Sequence, residues 1–213
     1  MVVGKLVESA AQSLLKMLAL NGSRTQAQFQ QACAAYVQTH GELRTYSQYE
    51  EPPNVHWDDE KYQGDAYGTF AWAVYVADVS VDTVTYETRV NDFVALQEVG
   101  RVIHPVFAAG QIEGGVAQAI GFALSEKVVW RDGRMANGQM TNYIMPTSAD
   151  LPPIRVFFAE NPYAYGPGGA KGIGELPMDG PAPAILNAIE DAIGRPVNRI
   201  PLMPEDVMEA LRG

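Results

Sequence analysis

Residues 5–20 carry apolar side chains at Leu6, Ala10, Leu14, Met17 and Leu18, a spacing that predicts a helix with one inward face. Asn21-Gly22 supplies its stop. Ser23 or Thr25 supplies the cap of a second helix running to about Thr39, with Phe29, Ala32, Cys33 and Tyr36 inward. Over residues 42–64 the period vanishes into polar and aromatic text with Pro52-Pro53, a long connection of a kind that often carries function. From 67 to 99 the pattern alternates. Phe70, Trp72, Val74 and Val76 interleave with Ala71, Ala73, Tyr75 and Ala77, which predicts a strand buried on both faces. Val84, Tyr86, Thr88 and Val90 form a second alternating set, with residues 78–83 as the hairpin connection.

Helical spacing returns between 110 and 130 at Ile112, Val116, Ile120, Ala123 and Leu124. Gly114, Gly115 and Gly121 each cost ~1 kcal/mol there relative to alanine. Two readings stand: a tightly packed core helix, or a helix that a ligand or another backbone approaches closely. Gln111 falls just ahead of the expected helix start, where free N–H groups favour polar or anionic ligands; the alternative is a plain surface residue. Further on, Arg131-Asp-Gly-Arg134 reads as a turn, 154–159 as a strand, 183–193 as a helix stopped by Gly194, and 200–202 as a short strand. A last helix starts at Pro204, with Val207, Met208 and Leu211 inward.

Composition narrows the function classes. With 213 residues, 47% of them hydrophobic, the chain can bury a substantial core and is not disordered throughout. A net charge of −10 with no basic run argues against nucleic acid as a partner. The single cysteine, Cys33, excludes an internal disulfide and a Cys-based zinc or iron–sulfur site within this chain. His40, His56 and His104 lie far apart, without carboxylates at metal-ligand spacing. No apolar stretch is long enough to span a bilayer, and the expected location is cytoplasmic.

The candidate chemistry is concentrated in Gly166-Pro-Gly-Gly-Ala-Lys-Gly-Ile-Gly-Glu175-Leu-Pro177. Five glycines in nine residues lead to one carboxylate, so the run reads either as a shaped loop holding Glu175 at a fixed point or as a flexible surface loop. Ala170, Ile173 and the stiff Pro177 favour the shaped loop. A Walker-type phosphate loop is excluded because Lys171 precedes glycine rather than Ser or Thr. A dinucleotide fingerprint is excluded because Glu-Leu-Pro intervenes before the next helical pattern, which begins near Pro181.

Gly64-Asp-Ala-Tyr67, Gly100-Arg-Val-Ile-His-Pro105, Gly110-Gln-Ile-Glu-Gly-Gly115, Tyr143-Ile-Met-Pro-Thr147, Gly169-Ala-Lys-Gly-Ile-Gly-Glu-Leu-Pro177 and Ala182-Pro-Ala-Ile-Leu-Asn-Ala188 follow one another in order. Together they resemble the C-terminal part of the molybdopterin-binding subunit of xanthine dehydrogenases, aldehyde oxidases and related molybdenum hydroxylases, most strongly over residues 62–211. The resemblance implies an α+β fold with helices packed on mixed sheets, divided into a helical segment and loop (1–60) and a cofactor domain (61–213). It implies an oxidoreductase that inserts water-derived oxygen at an electron-poor carbon of an N-heterocycle or aldehyde. On this likeness Glu175 is the general base, while Gln111, Ile173, Gly174 and, more weakly, Gln118 contact the molybdenum–molybdopterin. Iron–sulfur clusters and FAD belong to partner subunits.

The departures shape that expectation. The family's cofactor region is roughly twice as long, and its earlier half is missing here. Cofactor binding and turnover are therefore expected to need an N-terminal molybdopterin-binding half alongside the iron–sulfur and flavin subunits. His104 stands where many members have asparagine, and Met203 where a capping threonine is common, a change that weakens a cap by ~1 kcal/mol. Two other readings stand beside the enzyme component: a non-catalytic interaction or assembly domain, and a homodimer formed through apolar surface.

Overall fold

The computed structural model describes residues 1–22, 24–53 and 55–212. The chain forms two compact units, one of Met1–Phe70 with Pro162–Lys171 and one of Ala71–Asn161 with Gly172–Gly213. In the first, α1 (Val2–Met17) and α2 (Gln26–His40) form where the two helical patterns lie; Leu6, Ala10 and Leu14 of α1 and Phe29, Ala32, Cys33 and Tyr36 of α2 are half-buried, whereas Met17, expected inward, is exposed. Thr25 closes a reciprocal cap: its hydroxyl accepts from Gln28 N–H at 3.3 Å, and its own N–H donates to Gln28 Oε1 at 2.8 Å. The other candidate cap, Ser23, lies outside the described residues. Among its described residues, the loop that follows holds a two-residue pairing of β1 (Trp57–Asp58) with β2 (Gln63–Gly64).

The first half of the glycine run also belongs to this unit and is a shaped loop. Gly168 and Gly169 take φ of 55° and 88° around a single 3-10 turn, Pro167–Gly169. Tyr163 N–H donates to Gly169 O at 2.9 Å, and Glu8 accepts from Gly168 N–H at 3.3 Å. Lys171 is buried, with Nζ donating to Phe70 O at 2.8 Å.

The second unit is a three-stranded mixed sheet covered on one face by helices. β3 (Trp72–Val81) pairs antiparallel with β4 (Thr88–Glu98), from Trp72↔Glu98 to Val81↔Thr88, with a register shift between Asp78 and Val79. The connecting turn is held by Asp82, whose carboxylate accepts from Val84 and Thr85 N–H at 2.7 and 2.8 Å. After β4 come α3 (Pro105–Leu124), the small hairpin of β5 (Trp130–Arg131) and β6 (Arg134–Met135), and β7 (Ile154–Ala159). β7 runs parallel to β4, Phe93↔Ile154 to Glu98↔Ala159, which makes the sheet mixed with β4 at its centre. α4 (Leu176–Asp179), α5 (Pro181–Ile193) and α6 (Pro204–Arg212) complete the unit. The α+β architecture read from the sequence is the one observed.

Phe93 and Ala95 of β4 meet Ile112, Val116 and Ile120 of α3 and Ile185 and Ile189 of α5 in the core. The opposite sheet face is open. Trp72, Val74 and Val76 are 68%, 59% and 58% exposed, so the strand expected to be buried on both faces is covered on one only. Residues 200–202 are not a strand; Leu202 N–H is instead taken by Ala123 O at 2.7 Å. At α6 only the reciprocal half of a capping box is present: Asp206 Oδ2 accepts from Met203 N–H at 3.1 Å. No helix among the described residues is long and apolar enough to cross a membrane.

Arg155 on β7 ties itself to Asp92 on β4 through both carboxylate oxygens. That hydrogen bonding, with the Arg155 charge, holds the Asp92 carboxyl below the usual carboxylate range. A group depressed on folding stabilises above its unfolded pKa and loses that contribution as pH falls through its folded one. Below about pH 4, the melting temperature of the wild type should therefore fall more steeply than that of Asp92→Asn. Parallel melting curves across that range would count against the link.

Candidate functional site

α3 begins five residues earlier than the apolar pattern indicates, at Pro105 rather than Gly110. His104 is its cap, with Nδ1 accepting from Phe107 N–H at 3.3 Å, and Pro105 occupies the first turn, where its missing N–H costs nothing. Gln111 consequently sits nearly two turns inside the helix and not at its free N–H groups. Its chemistry is that of a side chain. Gln111 Nε2 donates to Gly174 O at 2.5 Å, so α3 grips the residue immediately before Glu175.

The α3 glycines divide between the two readings. A Cβ on Gly115 would stand 2.5 Å from Pro177 Cβ, and one on Gly121 would stand 2.6 Å from Pro146 Cδ, so these two permit close packing. Gly110 and Gly114 face open space, as does Gly174. Gln118 is exposed and lies two turns beyond Gln111 on the same side of α3, with Gly114 between them. The result is a polar strip of two amides over bare backbone.

Glu175 itself stands at the N-cap of α4, a helical turn that begins directly after it. The Glu-Leu-Pro segment is thus not a break before the next helix, because proline is tolerated in a first turn. Glu175 O accepts from Met178 N–H at 2.9 Å, whereas its side chain makes no capping bond and is exposed. Ile173 is half-buried and packs against the hydrophobic core. The fold therefore brings Gln111, Gly174 and Glu175 together, sets Gln118 along the helix from them and turns Ile173 inward.

Residues that the sequence did not single out complete the surroundings. Tyr75 on β3 reaches Leu176 O at 3.3 Å and takes a hydrogen bond from Gln97 Nε2 at 2.5 Å. A Cβ on Gly180 would overlap the Tyr75 ring, so this glycine admits the ring beside α4. The available signal was Gln97, a polar residue within the inward series Phe93, Ala95, Gln97, Val99. No group of three or more His, Cys, Asp or Glu side chains able to hold a metal occurs among the described residues. Any bound group would be held here by amides and backbone.

Comparison with known proteins gives this geometry a context. The sequence model of the molybdopterin cofactor-binding domain matches residues 2–152. The chain is 34% identical over 159 residues to the aldehyde oxidoreductase of Megalodesulfovibrio gigas, covering 74% of this chain and 17% of that protein. It is 31% identical over 142 residues to a probable xanthine dehydrogenase subunit of Bacillus subtilis, covering 67% of this chain and 19% of the relative. Among solved structures, aldehyde oxidoreductase from Desulfovibrio gigas superposes with a TM-score of 0.81 at 27% identity, over 99% of this chain and 22% of that one. Quinoline 2-oxidoreductase from Pseudomonas putida 86 gives 0.60 at 38% identity, over 63% of this chain and 18% of its own. The chain thus spans less than a quarter of the length of these relatives.

The two kinds of glycine predict opposite responses to the same substitution. Gly114→Ala, exposed within a helix and free of neighbours, should raise stability by up to ~1 kcal/mol. Gly115→Ala should lower it by roughly 1–3 kcal/mol, because Pro177 must move. Urea unfolding of both variants checks the pair, and equal shifts would show that the Pro177 contact does not constrain α3.

Proposed function

The chain belongs to the molybdopterin cofactor-binding domain family, and from that premise we propose that it forms part of the cofactor site of a molybdenum hydroxylase, with Glu175 as the general base. The observation that carries this reading is the Gln111–Gly174 hydrogen bond, which joins the amide-bearing side of α3 to the residue before the only carboxylate of the glycine run.

The residues present suit a flat, polar-edged pterin. Gln111 keeps its Oε1 free of partners among the described residues while Nε2 is engaged, and Gln118 offers a second amide on the same side. Gly110, Gly114 and Gly174 put no side chain between backbone and an incoming group. Bound there, the molybdenum–pterin group supplies the two-electron redox chemistry for hydroxylating an electron-poor carbon with oxygen from water. Gln111 and Gln118 would hold its polar edge and Gly174 would lie against it, with Ile173, expected as a further contact, packed toward the core behind them. The Glu175 carboxylate takes the proton from the water-derived nucleophile, which requires an approach of about 3 Å directly or through one water.

Backbone placement of Glu175 is achieved within the chain, whereas its exposure to solvent is not yet removed. The remainder of a subunit of the relatives' length would exclude water there and cover Trp72, Val74 and Val76. Electrons would leave through iron–sulfur and flavin groups on partner subunits. The substrate class is an N-heterocycle or an aldehyde.

Co-expression of this chain with the N-terminal cofactor half and the electron-transfer subunits tests the assignment. Glu175→Gln should reduce hydroxylation at least ~100-fold while leaving molybdenum and pterin content unchanged, and Gln111→Ala should lower that content. Full activity in Glu175→Gln would defeat the reading.

A further inference from the structure

Gln97 is fully buried on the inward face of β4, yet only half of its amide is used. Nε2 donates to the Tyr75 hydroxyl at 2.5 Å, while Oε1 finds no partner among the described residues. A buried acceptor left unmet is unfavourable, and a leucine of similar size would avoid it. Stability therefore does not account for a glutamine at this position. Direction does. An N–H aimed at the phenol oxygen leaves the phenol proton to donate elsewhere, and Leu176 O lies 3.3 Å away. That separation is long for a hydroxyl donor, so the orientation of the proton decides whether the bond forms. Reversing the Gln97 amide would draw the phenol proton to Oε1 and leave Leu176 O without it.

The Tyr75 ring is fixed as firmly as its hydroxyl. One side packs where a Cβ on Gly180 would overlap ring carbons, and Phe93 lies at a centroid distance of 6.1 Å. Burial first of all, with a contribution from Asp179, pushes the Tyr75 phenol above its ordinary pKa against the opposing Gln97 bond. The carbonyls on either side of Glu175 are thus held from two different elements, Gly174 O by Gln111 of α3 and Leu176 O by Tyr75 of β3.

We propose that Tyr75 and Gln97 are a positioning pair: Gln97 orients the Tyr75 hydroxyl, and the hydroxyl fixes the Leu176–Pro177 peptide, one residue beyond Glu175, and through it the aim of the Glu175 carboxylate. Neither residue touches a ligand; both act through backbone. The inference rests on Glu175 being the base, and its test is read independently of that assignment.

The reporter is the Met178 amide, whose N–H donates to Glu175 O. In the 213-residue chain, Tyr75→Phe should speed Met178 hydrogen exchange about five- to tenfold, the loss expected of one hydrogen bond. Core amides of Ile185 and Ile189 should stay within about twofold of wild type in the same measurement. Gln97→Leu, which removes the donor that orients the phenol but adds no competing acceptor, should accelerate Met178 exchange less than Tyr75→Phe does, with an equal or higher melting temperature. An unchanged Met178 rate, or acceleration spread equally over Ile185 and Ile189, overturns the proposal. In the co-expressed complex, Tyr75→Phe should lower kcat about tenfold with KM nearly unaltered; a raised KM at intact kcat also overturns it. A Met178 response combined with full activity in Glu175→Gln would retain the backbone clamp and reject the base.

Discussion

The seating of Pro177 on Gly115 is the contact on which the site depends. A side chain at 115 would stand 2.5 Å from Pro177 Cβ, so only bare helix lets α4 lie against α3 at this separation. Pro177 is buried there. Once that turn is seated, Gly174 O comes within reach of Gln111 on the same helix, two carbons and an amide being all the reach required. The glycine is unfavourable for α3 by ~1 kcal/mol, and the buried proline face offsets it. Gly180 repeats the device on the other side of the turn by admitting the Tyr75 ring. A four-residue helix too short to be stable alone is thereby held from two directions.

Much of this was legible in the residues, and the exceptions have physical causes. The helical spacing located α1, α2 and α5, although only α5 buries a full face, and Thr25 was one of the two cap candidates, its pairing with Gln28 emerging only from the structure. The start of α3 escaped because Val106 and Phe107 are exposed, leaving its first turns without an amphipathic period. Its true signal was His104-Pro105, a cap followed by a first-turn proline. The helical turn after Glu175 escaped because four residues carry no readable apolar period, and its signal was Pro177 in the first turn. Alternation in β3 correctly announced a strand, but Trp72 and Val74 are apolar whether or not anything covers them.

The candidate site divides in the same way. Glu175, Gly174 and Gln111 stood out because glycine density and motif order are properties of a linear text. That α3 would grip the glycine run through Gln111 was not legible, since the two residues are 63 apart and nothing local encodes the bond. Tyr75 and Leu176 are 101 apart, so their pairing arises only when the sheet forms. What a sequence does record is the anomaly such a pairing leaves behind. Gln97 at an inward sheet position, where its neighbours are Phe93 and Ala95, is that anomaly.

If Glu175 is the base proposed above, the chain separates two requirements that such a carboxylate must meet. Placement is a matter of backbone, and here helix and strand hold the backbone on both sides of the residue. Restriction of water is a matter of enclosure, and the exposed Glu175 side chain lacks it. The order is physically sensible: orienting a base after binding would consume binding free energy, whereas a frame fixed in advance leaves that energy for the reacting groups. The same division explains the glycines that face nothing. Gly110 and Gly114 forgo the stability alanine would confer on an exposed helix face, and no internal contact compensates. On the proposed function, that open backbone beside Gln111 is where the cofactor would rest.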